Sequence, residues 1–180
     1  MAAFAAGGVA LAGGGFGGGP GGGFGGGGFG GGGFGGGGRN FSIRQSLLGR
    51  EQTNVIITDE EWTVIEPKLW RVVTLQALAG PAAPNYAAQT VQRMLGNNTA
   101  QLGLDADVQI LATDILQREN DLMTAIYDPN FSETTIEIKL RDYRNSRDKV
   151  RAALKLAEAD LQRVLTLRQE AILLDDGFLQ

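Results

Sequence analysis

The chain contains no cysteine and no histidine among its 180 residues. Without cysteine it has no disulfide and no thiolate nucleophile, and without histidine it has no imidazole base, no histidine triad and no Cys/His zinc site. Any catalysis would have to use carboxylates, lysine, tyrosine or hydroxyl groups, and no set of such groups converges in the sequence. We therefore expect a protein that is not an enzyme and that holds no cofactor and no metal.

The sequence also lacks an excess of positive charge and a long apolar run, and both absences bear on which partners the protein can bind. The formal net charge is -4, whereas a nucleic-acid-binding domain normally carries a basic face. No apolar run approaches the roughly 18–20 residues that a membrane-spanning helix needs. The sequence thus predicts neither a nucleic-acid partner nor a membrane span, and it favours a protein partner.

Two acidic segments suggest a cation site. Asp175-Asp176-Gly177 is better explained as a solvated helix end, and the other segment is Asp105-Ala106-Asp107. A calcium-binding EF-hand loop that started at Asp105 would need glycine at position 110 and a bidentate glutamate at position 116. Those positions hold Ile110 and Leu116. We expect Asp105 to cap a helix instead.

The first 12 residues, MAAFAAGGVALA, are small and apolar and end in the A-x-A pattern at which signal peptidase cleaves. They lack the positive residues of a signal peptide, which an upstream start would supply. We interpret residues 1–12 as a truncated signal peptide and expect a periplasmic or secreted protein. The alternative is a chance match in a low-complexity leader on a cytoplasmic protein.

Glycine is abundant only near the N-terminus, where all but five of the 28 glycines precede Arg39. Residues 13–38 form a glycine tract with phenylalanines spaced through it. Ordering glycine costs more backbone entropy than ordering any other residue, and a few aromatic side chains cannot offset that cost. We predict a flexible, disordered Gly/Phe-rich linker. A sharper hypothesis is that the phenylalanines mediate weak self-association.

Residues 39–57 are interpreted as a connector that makes a turn or two of helix before Gly49 stops it, and residues 58–180 as a helical domain. The helical domain opens with a capping box, in which the Thr58 hydroxyl accepts from the Glu61 N–H while the Glu61 carboxylate reaches back. Ile57 and Trp62 flank it as a hydrophobic staple. We predict further helices at 59–78, 85–95 and from 105 to about 127.

No segment alternates with a period of two between turn signals, so the predicted fold is all-α, with long antiparallel helices in a hairpin or small bundle. The longest helix is predicted to run unbroken from Ser132 to about Leu174, roughly 60 Å. Its length exceeds what the other helices easily cover, which suggests a homodimer through its free part. Its apolar stripe comprises Ile136, Leu140, Tyr143, Val150, Leu154, Ala157, Leu161, Val164, Leu165 and Ile172.

The most basic stretch of the chain lies on this helix, and it is our candidate for an electrostatic partner surface. A solvated outer face, stabilised by charge pairs three or four residues apart, is the plainer interpretation. The cationic residues are Arg141, Arg144, Arg147, Lys149 and Arg151.

Two short segments resemble the paired helix-start motifs of the LTxxQ family, the periplasmic stress proteins related to Spy and CpxP. The matching residues are Thr58, Glu61, Trp62, Leu165, Thr166 and Gln169. The tail from Ala153 to Leu179 is also similar to the tails of uncharacterised secreted bacterial proteins. The resemblance implies an all-helical periplasmic protein, often dimeric, that cradles unfolded clients or senses envelope stress. It makes Thr166 the first place to look for a bend in the long helix.

The leading hypothesis is thus an exported, non-enzymatic helical protein that acts through protein–protein contacts. The second hypothesis is a Spy/CpxP-like chaperone or envelope-stress sensor. A remote alternative is a cytosolic structural protein with a disordered leader.

Overall fold

The computed structural model describes residues 39–80, 82–96 and 99–180, with side chains from residue 43 onward. The predicted signal peptide, 1–12, and the predicted linker, 13–38, lie outside this described part. Within it, all regular secondary structure is helical, which confirms the predicted all-α fold. The helices are α1 (Arg39–Asn54), α2 (Asp59–Ala79), α3 (Tyr86–Leu95), a 3-10 turn (Thr99–Leu102), α4 (Ala106–Tyr127), α5 (Glu133–Gln162) and α6 (Leu167–Asp175).

Most helix starts follow from side chains that satisfy the free N–H groups of a first turn. The capping box at Thr58 is present in both directions, as predicted. Asn85 and Ser132 accept from backbone N–H groups at the starts of α3 and α5. Asp105 occupies the predicted N-cap position of α4 but makes no side-chain capping bond. Its carboxylate instead accepts from Arg71 on α2, at 3.1 Å.

Helix α1 continues through Gly49, so the predicted stop at that residue is wrong. A glycine inside a helix costs only about 1 kcal/mol relative to alanine, and packing of the neighbouring side chains offsets it. Leu48 is fully buried, and Val55 and Ile57 after the helix are buried as well. The segment 39–57, which we interpreted as a connector, therefore contributes to the core.

The long helix is broken, so the predicted unbroken rod from Ser132 to Leu174 is also wrong. Helix α5 ends at Gln162, and α6 starts at Leu167 after a turn. The Thr166 hydroxyl accepts from the Gln169 N–H, and the Gln169 side chain accepts from the Thr166 N–H, so a second capping box starts a new helix here. The turn brings Leu173 and the tail residue Phe178 into the core.

Helix α5 is the central element, because it packs along both α2 and α4. Two polar contacts show that it pairs antiparallel with α4: Ser146 donates to Asp114, and Lys139 lies 2.9 Å from Asp121. The N-terminal end of α4 is held to the middle of α2 through Arg71. The end of α2 meets the middle of α5, where Arg147 donates to the Ala79 carbonyl. The two contacts together show that α2 runs parallel to α4 and antiparallel to α5, in a three-helix bundle.

The C-terminal tail is fixed by a buried polar cluster. The Gln76 amide donates to the carbonyl oxygens of Gly177 and Phe178, and the Asn85 amide donates to Gln76 Oε1 at 2.8 Å and to the Gly177 carbonyl at 3.1 Å. Gly177 has φ +76°, in the left-handed region that side chains other than glycine rarely adopt. The tail thus turns sharply, and Phe178 and Leu179 become buried.

Candidate interaction surface on the α4–α5 arm

Helices α4 and α5 continue past the end of α2. The guanidinium of Arg147 donates to the carbonyl of Ala79, the last residue of α2, at 3.1 Å. Beyond this level α4 and α5 stay paired, as the contact between Asp121 and Lys139 shows. We call this paired extension, residues 116–145, the arm. Its own buried residues, Leu122 and Ala125, lie outside the main hydrophobic core.

The arm carries apolar side chains along the line that α2 would follow if it were longer. On α5, residues 140, 143, 147 and 150 recur at intervals of three or four and so share one face. Helix α2 covers this face from Arg147 onward and leaves the part nearer the arm tip uncovered. Arg147 stacks over the Tyr143 ring at 5.8 Å from its centroid, which places Tyr143 just beyond the end of α2. We call the uncovered strip the arm groove. Its residues are Met123 and Ile126 on α4 and Ile136 and Leu140 on α5, and its inner end is bordered by Leu116 and Tyr143, which pack partly against the main core.

The exposure of these residues is high for apolar side chains. Met123 and Ile126 are 43% and 50% exposed, and Leu116, Ile136, Leu140 and Tyr143 are half-buried. Further apolar side chains lie exposed at the arm tip, at Tyr127 and Phe131. A contiguous exposed apolar strip of this kind is typical of a surface that binds another protein.

At the inner end of the arm groove lies an open cavity of about 530 Å³ between the end of α2 and the side of α5. We call it the basic groove, because three cationic side chains from one face of α5 line it. Its lining residues include Ala79, Gly80, Ala82 and Pro84 on one side and Arg147, Arg151, Lys155 and Glu158 on the other. The cavity thus pairs an apolar wall with a cationic one.

The five cationic residues that were predicted to form one partner surface lie on different faces of α5. Arg144, Arg147 and Arg151 follow one another at intervals of three and four and share the face that leads into the basic groove. Lys149 lies on another face, 3.7 Å from Asp114, and Arg141 lies closest to Asp142. Three of the five candidates therefore belong to one surface.

The residues that resemble the LTxxQ motifs act locally and do not form a site. Thr58 with Glu61 starts α2, and Thr166 with Gln169 starts α6. Their flanking residues, Trp62 and Leu165, are partly buried against the core.

Ser146 is the buried contact that the sequence analysis missed. It lies among the apolar residues of α5 and donates to the Asp114 carboxylate. This hydrogen bond, with help from Arg118 and Lys149, lowers the pKa of Asp114 below its ordinary value. The contribution of Asp114 to stability is present above the ordinary carboxylate pKa and is lost as the pH falls through the lowered value.

Burial raises the pKa of Glu158 in the basic groove from its ordinary value of 4.5. One of its carboxylate oxygens is buried without a hydrogen-bond partner in the structure. An acid whose pKa is raised on folding destabilises the folded state when ionised, and the cost disappears as the pH falls to the ordinary value.

We therefore expect Glu158→Gln to raise the melting temperature at pH 7 and to have little effect near pH 4. Thermal unfolding followed by circular dichroism at both pH values measures this difference. The exposed Glu119→Gln serves as the matched control and should leave the melting temperature unchanged. A lower melting temperature of Glu158→Gln at pH 7 would contradict the assignment of an ionised, poorly solvated carboxylate.

Comparison of the chain with protein-family models, with curated proteins and with solved structures finds no significant match. No helix in the described part of the chain has both the length and the apolar character needed to cross a bilayer.

Proposed function

We propose that this chain is an exported, non-enzymatic helical protein that acts by binding a protein helix in the arm groove. The observation that carries the proposal is the end of α2 at Ala79, which leaves the facing strip of α4 and α5 apolar and uncovered. An amphipathic helix laid in line with α2 would complete the bundle over the arm. Helix-in-groove binding of this type is a common mode of peptide recognition.

The charge next to the groove favours an occupant with acidic residues. Arg144 and Arg151 are exposed and Arg147 is half-buried, all on the face that leads from the arm groove into the basic groove. Acidic side chains that flank the apolar face of the bound helix would pair with them and fix its direction. The apolar residues would supply most of the affinity.

Binding of a labelled amphipathic helical peptide tests this function. The probe has leucines on one face and aspartates and glutamates on the other, and its binding is followed by fluorescence anisotropy. We expect saturable binding that Leu140→Ala weakens at least tenfold, because the substitution removes a central contact. The control Leu156→Ala changes an exposed leucine of the same helix, outside the arm, and should have no effect.

A second peptide with lysines in place of the acidic residues tests the role of the basic groove. It should bind at least tenfold more weakly than the acidic peptide. Equal binding of both peptides would contradict electrostatic selection, and failure of both to bind a chain that sedimentation shows to be monomeric would contradict the proposed function.

The alternative of a Spy/CpxP-like chaperone uses the same exposed apolar strip, for an unfolded client instead of a folded helix. Suppression of the aggregation of a reduced, unfolded model protein at near-equal ratio would support it. That activity should then fall with Leu140→Ala and not with Leu156→Ala. No suppression with several clients would remove the alternative.

Export is a separate part of the proposal and rests on the Ala10-Leu11-Ala12 pattern. Expression from an upstream start, followed by N-terminal sequencing of the protein outside the cytoplasm, should show cleavage after Ala12. Retention of the uncleaved chain in the cytoplasm would favour the alternative of a cytosolic structural protein.

A further inference from the structure

Along one face of α5 the charged side chains change from acidic near the arm tip to basic toward the body. The positions 133, 137, 140, 144, 147 and 151 are separated by alternating steps of four and three residues, the spacing of a helix-packing stripe. Glu133 and Glu137, near the arm tip, are acidic. Leu140 lies in the middle, and the residues toward the body are Arg144, Arg147 and Arg151. The acidic and basic halves flank Leu140 at similar distances.

Two copies of this stripe have complementary charges when they lie antiparallel. If two copies of α5 lie antiparallel with Leu140 at the centre, each Glu137 lies beside Arg144 of the second copy, and each Glu133 lies near its Arg147. Parallel pairing would instead place acidic tips together and basic segments together. Charges beside an apolar helix seam commonly select orientation in this way.

We propose that the helix that fills the arm groove belongs to a second copy of this chain, paired antiparallel about a two-fold axis close to Leu140. This inference rests on the proposed function of the arm groove and names its partner. Two α4–α5 arms packed in this way form a four-helix bundle. The interface is isologous, so each favourable contact occurs twice.

The arm length places each tip at the basic groove of the other copy. Phe131 is nine residues from Leu140, and nine residues in the other direction from Leu140 is Lys149, between Arg147 and Arg151. The helical part of the arm from Glu133 to Leu140 spans about 10 Å, and Phe131 lies two residues before the helix begins. The exposed Tyr127 and Phe131 would meet the apolar wall of the groove, which includes Ala82 and Pro84. Acidic side chains near the arm tip, such as Glu133, would lie against the cationic wall of the basic groove.

Charge reversal at the seam, followed by mixing, tests this pairing. Glu137 and Arg144 are both exposed, so their substitution leaves the fold intact. We expect the full chain to dimerise in sedimentation equilibrium at 50 mM salt, and Glu137→Arg and Arg144→Glu each to weaken dimerisation at least tenfold. In each variant alone, two like-charge contacts face each other across the two-fold axis.

An equimolar mixture of the two variants should recover dimerisation, because each reversed charge then faces an opposite charge. The double variant Glu137→Arg/Arg144→Glu should dimerise with itself for the same reason. Arg141→Glu changes a cation off the stripe and should dimerise like the unchanged chain. Circular dichroism confirms that every variant is folded.

The outcomes separate this inference from the function on which it rests. A chain that stays monomeric at high concentration but binds the acidic peptide refutes the second copy as partner and keeps the arm groove as a binding site. If neither charge reversal weakens dimerisation, or if the mixture of variants fails to recover it, the antiparallel arrangement is refuted. A chain that neither dimerises nor binds the peptide refutes both.

Discussion

Leu154→Asp should abolish the cooperative unfolding transition of this protein. Leu154 lies on α5 with 7% of its surface exposed, within the hydrophobic core. Leu154 also lines the basic groove beside Arg151 and Lys155. An ionised carboxylate in its place would still be largely desolvated, at a cost of several kcal/mol that the exposed cations offset only in part. Because the whole stability of a domain is about 5–15 kcal/mol, and the leucine contacts are lost as well, the folded state should no longer be stable.

The same helix offers a matched control two residues away. Leu156 is 69% exposed, so Leu156→Asp should change the free energy of unfolding by no more than about 0.5 kcal/mol. The milder Leu154→Ala should cost about 2–5 kcal/mol and remain measurable by urea denaturation. Equal melting curves for Leu154→Asp and Leu156→Asp would contradict the packing of α5.

Asn85→Ala should produce the second large effect, a loss of about 2–4 kcal/mol in the free energy of unfolding. About 1 kcal/mol comes from the N-cap of α3, where Asn85 accepts from the Ala88 N–H. Roughly 1–3 kcal/mol more is lost because the buried oxygens of Gln76 and Gly177 no longer accept a hydrogen bond from the Asn85 amide. Urea denaturation followed by circular dichroism measures the sum.

Asn85→Ser separates the two contributions. Serine keeps a capping oxygen but is too short to donate to Gln76, so this variant should be less destabilised than Asn85→Ala by about 1 kcal/mol. Hydrogen exchange should also show faster exchange at the tail amide of Phe178, which donates to the Leu173 carbonyl. A tail that remains equally protected in Asn85→Ala would contradict the clamping role of the cluster.

Helix starts could be predicted from the sequence because their causes are local. Thr58 with Glu61, Asn85 and Ser132 each satisfy backbone N–H groups within three residues. The second capping box, at Thr166, was visible as a motif resemblance. Its effect was underestimated because no glycine or proline marks a stop before it.

The errors arose where tertiary contacts decide the outcome. Gly49 does not end α1, because the buried Leu48 holds that helix against the core. Ser146 can be buried because Asp114, 32 residues away, accepts a hydrogen bond from its hydroxyl group. Neither partner is visible from the local pattern. Sequence periodicity identifies the apolar face of a helix but does not show which other element packs against that face.

The candidate surface was predictable only in part. The prediction of an uncovered strip rested on an unbroken helix to Leu174, whereas α5 ends at Gln162, and the basic residues of α5 stay a predicted partner surface. Their division between two faces follows from helix geometry, whereas the basic groove depends on where α2 ends beside Arg147. Because Ala79 and Arg147 lie 68 positions apart in the chain, no local sequence window contains that information.

The absence of cysteine makes one measurement especially direct. A single cysteine at Leu140 would lie close to the same residue of a second copy if two arms pair around that position. We expect Leu140→Cys to form a disulfide-linked dimer rapidly under mild oxidation, reversible by dithiothreitol, and Asn145→Cys on the exposed outer side of α5 to form far less. Equal or slower cross-linking of Leu140→Cys relative to Asn145→Cys would contradict the claim that the arm groove is covered by a second arm.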